Sequence, residues 1–448
     1  MCIQLRDYQQ DAENKLLDCY KNGAKSVLLV LPTGGGKTIV FTDITSKSVL
    51  GRGKKVLLLV HREELLNQTS KSLTRFNVPH GLISATKTPA YYKPAQIASV
   101  QTLVNRLDAY KKHAGAPDFI IIDEAHHAVA GSWAKIIAEF PDAKILGVTA
   151  TPQRLDGKGL GLHCGGIFEE IVIGATVNDL ISAGHLTEPV IYAPPAETDK
   201  ATITGSVIGH YKRLGEGLPT VVFCTNVKHA KEVAADFREA GIVAECLDAS
   251  IEKGKRAEII AGLGNRTIQV VTSCDIISEG TDIPAIGCAI LLRKTTSVSL
   301  YLQQVGRALR VCEGKAQAII LDHVGNSLRH GLPTDEWEWS LNGEAKRKRK
   351  DEKGLMLKTC PSCYLTYKAG TDNICPSCKH RPEIKVRKIA LQEGELVQVT
   401  AQIAAQKKQQ RMEQGRAETL QDLLEFARKT GKKPAWAHYV WQSRQKKA

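Results

Sequence analysis

The 448-residue chain has no run of eighteen apolar residues, so it lacks the stretch that a membrane-spanning helix requires. Its start, Met1-Cys2-Ile3-Gln4-Leu5-Arg6-Asp7, lacks the charged-then-apolar layout of a secretory signal, and a cytoplasmic protein is expected. A disulfide framework is also missing. Eight of the twelve cysteines (Cys2, Cys19, Cys164, Cys224, Cys246, Cys274, Cys288 and Cys312) are scattered, mostly within apolar runs, and read as reduced core thiols.

What is present fits a folded globular protein of two or three domains, with 43% hydrophobic residues. The net charge of +14 is uneven: residues 331–448 hold 24 Lys and Arg against 14 Asp and Glu. Such a surplus suits polyanion binding, with a solvated basic tail as the alternative.

The organising stretch is Leu31-Pro32-Thr33-Gly34-Gly35-Gly36-Lys37-Thr38, between the strand-like run Ser26–Val30 and a segment that can continue as a helix. Glycines let the backbone turn tightly and aim its N–H groups inward. The helix N-terminus adds partial positive charge, Lys37 can reach outer phosphates and Thr38 can ligate Mg²⁺. Leu31 stands where the strict pattern has glycine.

Apolar runs then alternate with helical segments at 55–60, 119–123 and 144–149, predicting a parallel sheet with helices on both faces. Polar groups that end such strands collect at one edge, where ligands bind. The pair Asp123-Glu124 falls there. Asp123 can hold Mg²⁺ through water and Glu124 can orient and deprotonate an attacking water; a capped, acidic first helical turn is the bland alternative. After Ala193-Pro194-Pro195 a second alternating series begins, without a phosphate loop of its own. It carries Arg307 and Arg310, three apart and so on one helical face, where they can neutralise charge developing on a γ-phosphate or form a solvated basic helix.

Cys360-Pro361-Ser362-Cys363 and Cys375-Pro376-Ser377-Cys378 form two knuckles eleven residues apart, a spacing that suits one tetrahedral Zn²⁺. Tyr364 and Tyr367, beside Lys358, Lys368, Lys379 and Arg381, either stack on bases or form the small core of the ribbon. Lys346 to Lys350 are consecutive basic residues and read as an exposed linker. Trp436, Tyr439 and Val440 fall at helical spacing, for docking on the protein or a partner, or for an aromatic DNA contact.

Together Tyr8-Gln9, Pro32 to Thr38, His61-Arg62, Ser99 to Leu103, Asp123 to His126, Thr149 to Thr151, Gly280-Thr281-Asp282 and Gln303 to Arg310 resemble, in order, the motor of superfamily 2 DEAD/DEAH-box helicases. The resemblance spans residues 1 to about 330. It implies two tandem RecA-like domains with ATP and Mg²⁺ between them, followed by a small zinc ribbon and a helical tail. The expected boundaries are 1–192, 193–330, a basic linker 331–357, the ribbon 358–381 and a basic tail 382–448. The resemblance further implies that Gln9 reads adenine, helped by Arg6 and Tyr8. Thr33, Gly34, Gly35, Gly36, Lys37, Thr38, Gly280 and Asp282 would bind the nucleotide; Lys37, Asp123, Glu124, Gln303, Arg307 and Arg310 would serve hydrolysis. His126, Thr149 and Thr151 would couple hydrolysis to domain movement, and Arg62, Gln101, Thr225 and Thr272 would line a nucleic-acid track. Residues 295–307 and 321–326 look like the RadD-type bacterial and phage branch, which implies DNA as partner and work in repair, recombination or phage replication. A single-strand binding protein or a replication or repair factor could engage the tail. Translocation on duplex without unwinding, an RNA substrate and a non-catalytic binding module are the competing expectations. No nuclease motif is evident, so cleavage would need a partner.

Overall fold

A computed structural model describes residues 4–128, 131–154, 158–194, 203–274, 286–312, 314–343, 346–347, 357–368, 374–381, 417, 419–430, 432 and 434–445. The first sheet has seven parallel strands: β1 (Ser26–Val30), β2 (Val56–Val60), β3 (His80–Ile83), β4 (Ala95–Ser99), β5 (Phe119–Asp123), β6 (Lys144–Thr149) and β7 (Glu170–Ile173), in the order β3-β4-β2-β5-β6-β1-β7. Central strands of a covered parallel sheet are apolar on both faces, and β1 shows why its sequence does not alternate. Val27 and Leu29 enter one core beneath the sheet with Leu146 and Val148, while Leu28 and Val30 enter the other with Ile120 and Ile122. Each such side chain contributes about 1.5–3 kcal/mol by leaving water.

The second sheet has six parallel strands: β8 (Pro189–Tyr192), β9 (Thr220–Phe223), β10 (Ala244–Leu247), β11 (Val270–Ser273), β12 (Cys288–Leu291) and β13 (Ala318–Asp322), in the order β10-β11-β9-β12-β13-β8. This corrects one expected boundary. Residues 189–192, assigned from sequence to the first domain, pair with β13 and close the edge of the second. The Pro194-Pro195 signal lies just beyond that strand, so the passage between sheets falls between Ile173 and Pro189.

The segment after the second sheet is not simply an exposed linker. Trp337–Glu338 pairs antiparallel with Lys346–Arg347, the Trp337 and Trp339 rings stack at 5.3 Å, and Trp339 and Leu341 pack on the core of the first domain. The Gly161 N–H donates to the Leu341 carbonyl at 3.0 Å. Charge at 346–350 masked the apolar alternation at 337, 339 and 341.

Two short strands, Leu357–Thr359 and Thr366–Lys368, form the cysteine hairpin. Residues 383–448 form a separate unit. Within it, helices Leu420–Lys429 and Pro434–Gln445 pack through Leu423, Phe426, Ala427 and Ala437, with Trp436, Val440 and Trp441 against them. Thr419 caps the first helix by accepting from the Asp422 N–H at 3.1 Å. Lys432 Nζ sits 3.9 Å from the Trp436 ring centre, so that ring is engaged inside the hairpin.

Candidate nucleotide cleft and metal centre

The phosphate loop leaves β1 at the sheet edge, and Gly34 (φ +87°) and Gly36 (φ +78°) take left-handed backbone conformations there. A Cβ on Gly34 would come within 2.8 Å of Leu186, and one on Gly36 would collide with the Gln9 amide. Leu31, the departure from the strict glycine pattern, is fully buried: it still belongs to the core and precedes the loop proper. The first helix, Asp7–Lys21, clamps the loop. Tyr8 donates its hydroxyl to the Gly35 carbonyl at 3.1 Å, and Gln9 is fixed by the Arg6 N–H, which donates to Oε1 at 3.0 Å.

Lys37 Nζ donates to the carbonyls of Leu31 and Pro32 at 3.3 and 3.5 Å. Burial pulls its ammonium below its ordinary value, opposed by Glu124 and Asp123. Burial and the Glu124 charge push Asp123 up to about 7, with Lys37 acting the other way. Glu124 sits at φ +50°, a left-handed conformation that costs a non-glycine residue energy. Its N–H donates to Asp123 Oδ1 at 2.9 Å.

The second domain brings the helix Val298–Ala308 against this edge, capped by Ser297, whose hydroxyl accepts from the Leu300 N–H at 3.2 Å. A Cβ on Gly306 would lie 2.6 Å from Thr33 Cβ, so glycine is what lets helix and loop touch. Gln303 and Arg307 are buried on this helix, and Arg310 lies just past its end beside Gly34. The result is a cavity of 840 Å³ between the two domains, lined by Arg6, Thr33, Gly34, Gly36, Lys37 and Thr38, by Asp123 and Glu124, and by Gln303, Arg307 and Arg310. Among the described residues, Gln303 Nε2 in its wall is buried without a hydrogen-bond partner, as expected of a group built for a polar ligand. Gly280 and Asp282 lie outside the described residues.

Family matches, sequence relatives and a solved structure join this geometry to known proteins. Residues 2–154 match the family described as type III restriction enzyme, res subunit, and residues 204–312 match the helicase conserved C-terminal domain. A 51.5 kDa protein of a Lactococcus phage is 32% identical over 369 residues, covering 78% of this chain and 76% of its own length. The Saccharomyces cerevisiae protein that carries the name ATP-dependent helicase IRC3 is 29% identical over 72% of this chain. The chain spans about half of that relative's length, 52%. The chain belongs to the superfamily 2 helicases. Among solved structures, the type ISP restriction-modification enzyme LlaBIII bound to DNA aligns with a TM-score of 0.56 and 19% identity, covering 74% of this chain and 30% of that one, and so shares the fold. The protein is thus an ATP-dependent, nucleic-acid-dependent helicase or translocase.

In this helicase a polar relay runs from the acidic pair to the other domain. His126 Nδ1 lies 3.4 Å from Glu124 and 3.1 Å from Thr149 Oγ1. Thr149 Oγ1 donates to the Thr151 carbonyl at 3.0 Å, and the Thr151 and Ser299 hydroxyls meet across the cleft. A second crossing, which the sequence does not announce, is the ion pair of Arg256 Nη1 with Glu64 at 3.0 Å. Both residues line the cavity. No local pattern marks either one, because the pair joins residues 192 positions apart. His185 also lines the cavity, its ring 5.6 Å from Tyr8.

Of the four track candidates, three follow strand ends. Arg62 precedes the helix Glu63–Arg75, Gln101 is exposed and donates to the His61 carbonyl at 3.2 Å, and Thr225 is exposed beyond β9. Thr272 is a correction. It is fully buried inside β11, its hydroxyl donating to the Ala230 carbonyl at 2.7 Å, and so packs the sheet.

The thiols of Cys360, Cys363, Cys375 and Cys378 all lie within 4.8 Å of one another. The Cys360–Cys378 and Cys363–Cys375 sulfurs are 3.5 Å apart, far beyond a disulfide bond. Each knuckle closes in the same way: Tyr364 N–H donates to the Cys360 carbonyl at 2.9 Å and Lys379 N–H to that of Cys375 at 3.0 Å, with φ +61° and +60° at those residues. Burial and the neighbouring thiols push Cys363 up to about 12, whereas a backbone hydrogen bond at His380 draws Cys378 down to about 7; four thiolates this close repel one another unless a cation lies among them. The hairpin is docked on the second domain. Ala193 N–H donates to the Tyr364 carbonyl at 3.1 Å, Leu365 bridges Tyr192, and the Tyr364 ring lies 5.9 Å from His210. Tyr364 therefore packs against the second domain, a contact outside both of its sequence readings, base stacking and the small core of the ribbon.

The raised Asp123 value has a consequence for stability. Its charge costs the nucleotide-free fold nothing below the ordinary value of 3.8, increasingly more as pH rises toward 7, and the full amount above it. Asp123→Asn in chelator-treated, nucleotide-free protein is expected to stabilise it by about 2–4 kcal/mol at pH 8, with the gain shrinking as pH falls to 5. Thermal unfolding across that range checks this, and a gain that grows toward pH 5 would refute it.

Proposed function

We propose that the protein is an ATP-driven DNA helicase or translocase of the RadD-type bacterial and phage branch, acting in repair, recombination or phage replication. The observation that carries this reading is the cavity with the phosphate loop and acidic pair on one wall and Arg307 and Arg310 on the other. Glu124 takes the proton of the attacking water, Lys37 holds the outer phosphates, and the two arginines neutralise charge developing on the transferred phosphoryl group. Thr38 and Asp123 would hold Mg²⁺, which supplies charge neutralisation at the phosphates. Gln9 and Arg6, at the mouth of the loop, suit the adenine edge.

Closing and opening of the cleft is transmitted through the relay ending at Thr151 and Ser299 and alternates the grip of the two domains on a phosphate backbone. Arg62, Gln101 and Thr225 face that backbone. Four cysteinyl thiolates at this spacing suit Zn²⁺, and the ribbon it closes rides on the second domain. The basic surplus of the C-terminal quarter supports a polyanion as partner.

The test is steady-state ATP hydrolysis with single-stranded, duplex and branched DNA and with RNA. DNA is expected to stimulate turnover at least about tenfold, with stimulation falling as salt rises. Stimulation by RNA alone would move the substrate to RNA, and none by any polynucleotide would remove the translocase reading.

A further inference from the structure

Arg310 is not on the helix that carries Gln303 and Arg307. That helix ends at Ala308, and the carbonyls of its last turn have no intrahelical donor. Whatever fixes this end sets where the Arg310 guanidinium goes. On one side the backbone is held by the first domain's outgoing chain: Thr187 N–H donates to the Leu309 carbonyl at 2.7 Å, and Leu186 bridges Arg310.

The other side is held by one side chain. The turn at Gly314 (φ +76°) folds the chain back, and Lys315 Nζ reaches three carbonyls: Arg310 at 2.8 Å, Ile286 at 2.8 Å and Ala308. An ammonium has three donors, and here three main-chain acceptors take them. Burial is costly for a lysine, and it lowers the Lys315 ammonium to about 8, with only Cys312 acting the other way. Surface lysines extend into water; this one turns inward. Its positive charge at a helix C-terminus also complements the helix dipole. Ile286, another of the three acceptors, is fully buried and lies two residues before β12. In sequence it comes after the stretch containing Gly280 and Asp282. One ammonium thus pins the end of the arginine helix to the main chain at Ile286, just ahead of β12.

We propose that Lys315 is a positioning residue for ATP hydrolysis, which holds the Arg310 main chain so that its guanidinium meets the γ-phosphate when the cleft closes. This rests on the role of Arg310 in the proposed function. It requires that loss of Lys315 act through Arg310 and not through nucleotide affinity.

The experiment compares full-length Lys315→Met, Arg310→Ala and the double variant with wild type, measuring kcat and KM for ATP hydrolysis with single-stranded DNA present. Thermal unfolding and binding of a fluorescent ATP analogue are followed in parallel. Lys315→Met is expected to lower kcat at least about tenfold while KM stays within about twofold, and the double variant to be no slower than Arg310→Ala alone. A double variant slowed by the product of the two single effects, or a Lys315→Met kcat within twofold of wild type, overturns the proposal. If Arg310→Ala itself leaves kcat unchanged, the reading of Arg310 fails instead, and the two failures are told apart. Should Lys315→Met not fold, Lys315→Arg gives the same cycle. Its planar fork cannot serve three convergent carbonyls equally, so a smaller loss with the same non-additivity is expected, and additive losses there count against the proposal.

Discussion

Glu124→Gln is expected to lower ATP hydrolysis by about 10³-fold while the protein stays folded and still binds ATP. The amide keeps the volume and the left-handed backbone position of Glu124 but cannot accept the proton of the attacking water, and loss of a general base typically costs 10²–10⁴-fold. The variant also removes the charge that, with burial, raises the adjacent buried Asp123, so its thermal midpoint is expected to rise while its activity falls. Lys37→Ala has the same effect on turnover by another route: it takes away the cation that faces both Asp123 and Glu124 and leaves the outer phosphates without their ammonium. Phosphate release with and without single-stranded DNA measures both. Wild-type turnover in either variant would end the assignment of this cavity as the hydrolytic site.

The second large effect concerns the four cysteines. Metal analysis of the purified full-length protein is expected to find one Zn²⁺ per chain, and Cys360→Ser to lose it. A structural zinc supplies roughly 10–16 kcal/mol to a module of this kind, and a serine hydroxyl does not replace a thiolate ligand, so the variant is expected to lose both the metal and the folding energy it supplies. The consequence extends past the hairpin. Ala193 N–H at the end of β8 has the Tyr364 carbonyl as its acceptor, and Tyr192 is bridged by Leu365. Hydrogen exchange at Ala193 is therefore expected to accelerate in Cys360→Ser or on chelation, while exchange at the central strands β9 and β12 is unchanged. Wild type without zinc, or unaltered protection at Ala193 in the variant, would contradict this coupling.

Much of the chemistry was legible from local sequence. Lys37, Asp123 and Glu124 come directly after strand-like runs, and parallel strands deliver the residues at their carboxyl ends to one edge. Arg307 and Arg310 stand out by their spacing of three, although the helix ends at Ala308, before Arg310, and the cysteines stand out by theirs from one another. In each case the signal lies within a few residues, on the scale of one strand end, one helical turn or one knuckle.

Other features depend on partners far along the chain. Residues 189–192 fell within the expected first domain, and only pairing with β13 assigns them to the second sheet. Thr272 looked like a polar residue for the track until its hydroxyl found the Ala230 carbonyl inside the sheet. Trp337, Trp339 and Leu341 were hidden by the run of charge just after them. Composition could not show that the first domain would receive them.

Sequence alone was enough to point to the candidate reacting groups, because each is announced by its own strand, turn or spacing. Tertiary structure decided how the two halves are held to each other: Glu64 with Arg256, Thr151 with Ser299, and Lys315 on the carbonyls of Ala308, Arg310 and Ile286. The physical reason is that a catalytic side chain carries its chemistry in its own identity, whereas an ion pair or a bridged carbonyl exists only once folding has brought distant backbone and side chains within hydrogen-bond reach.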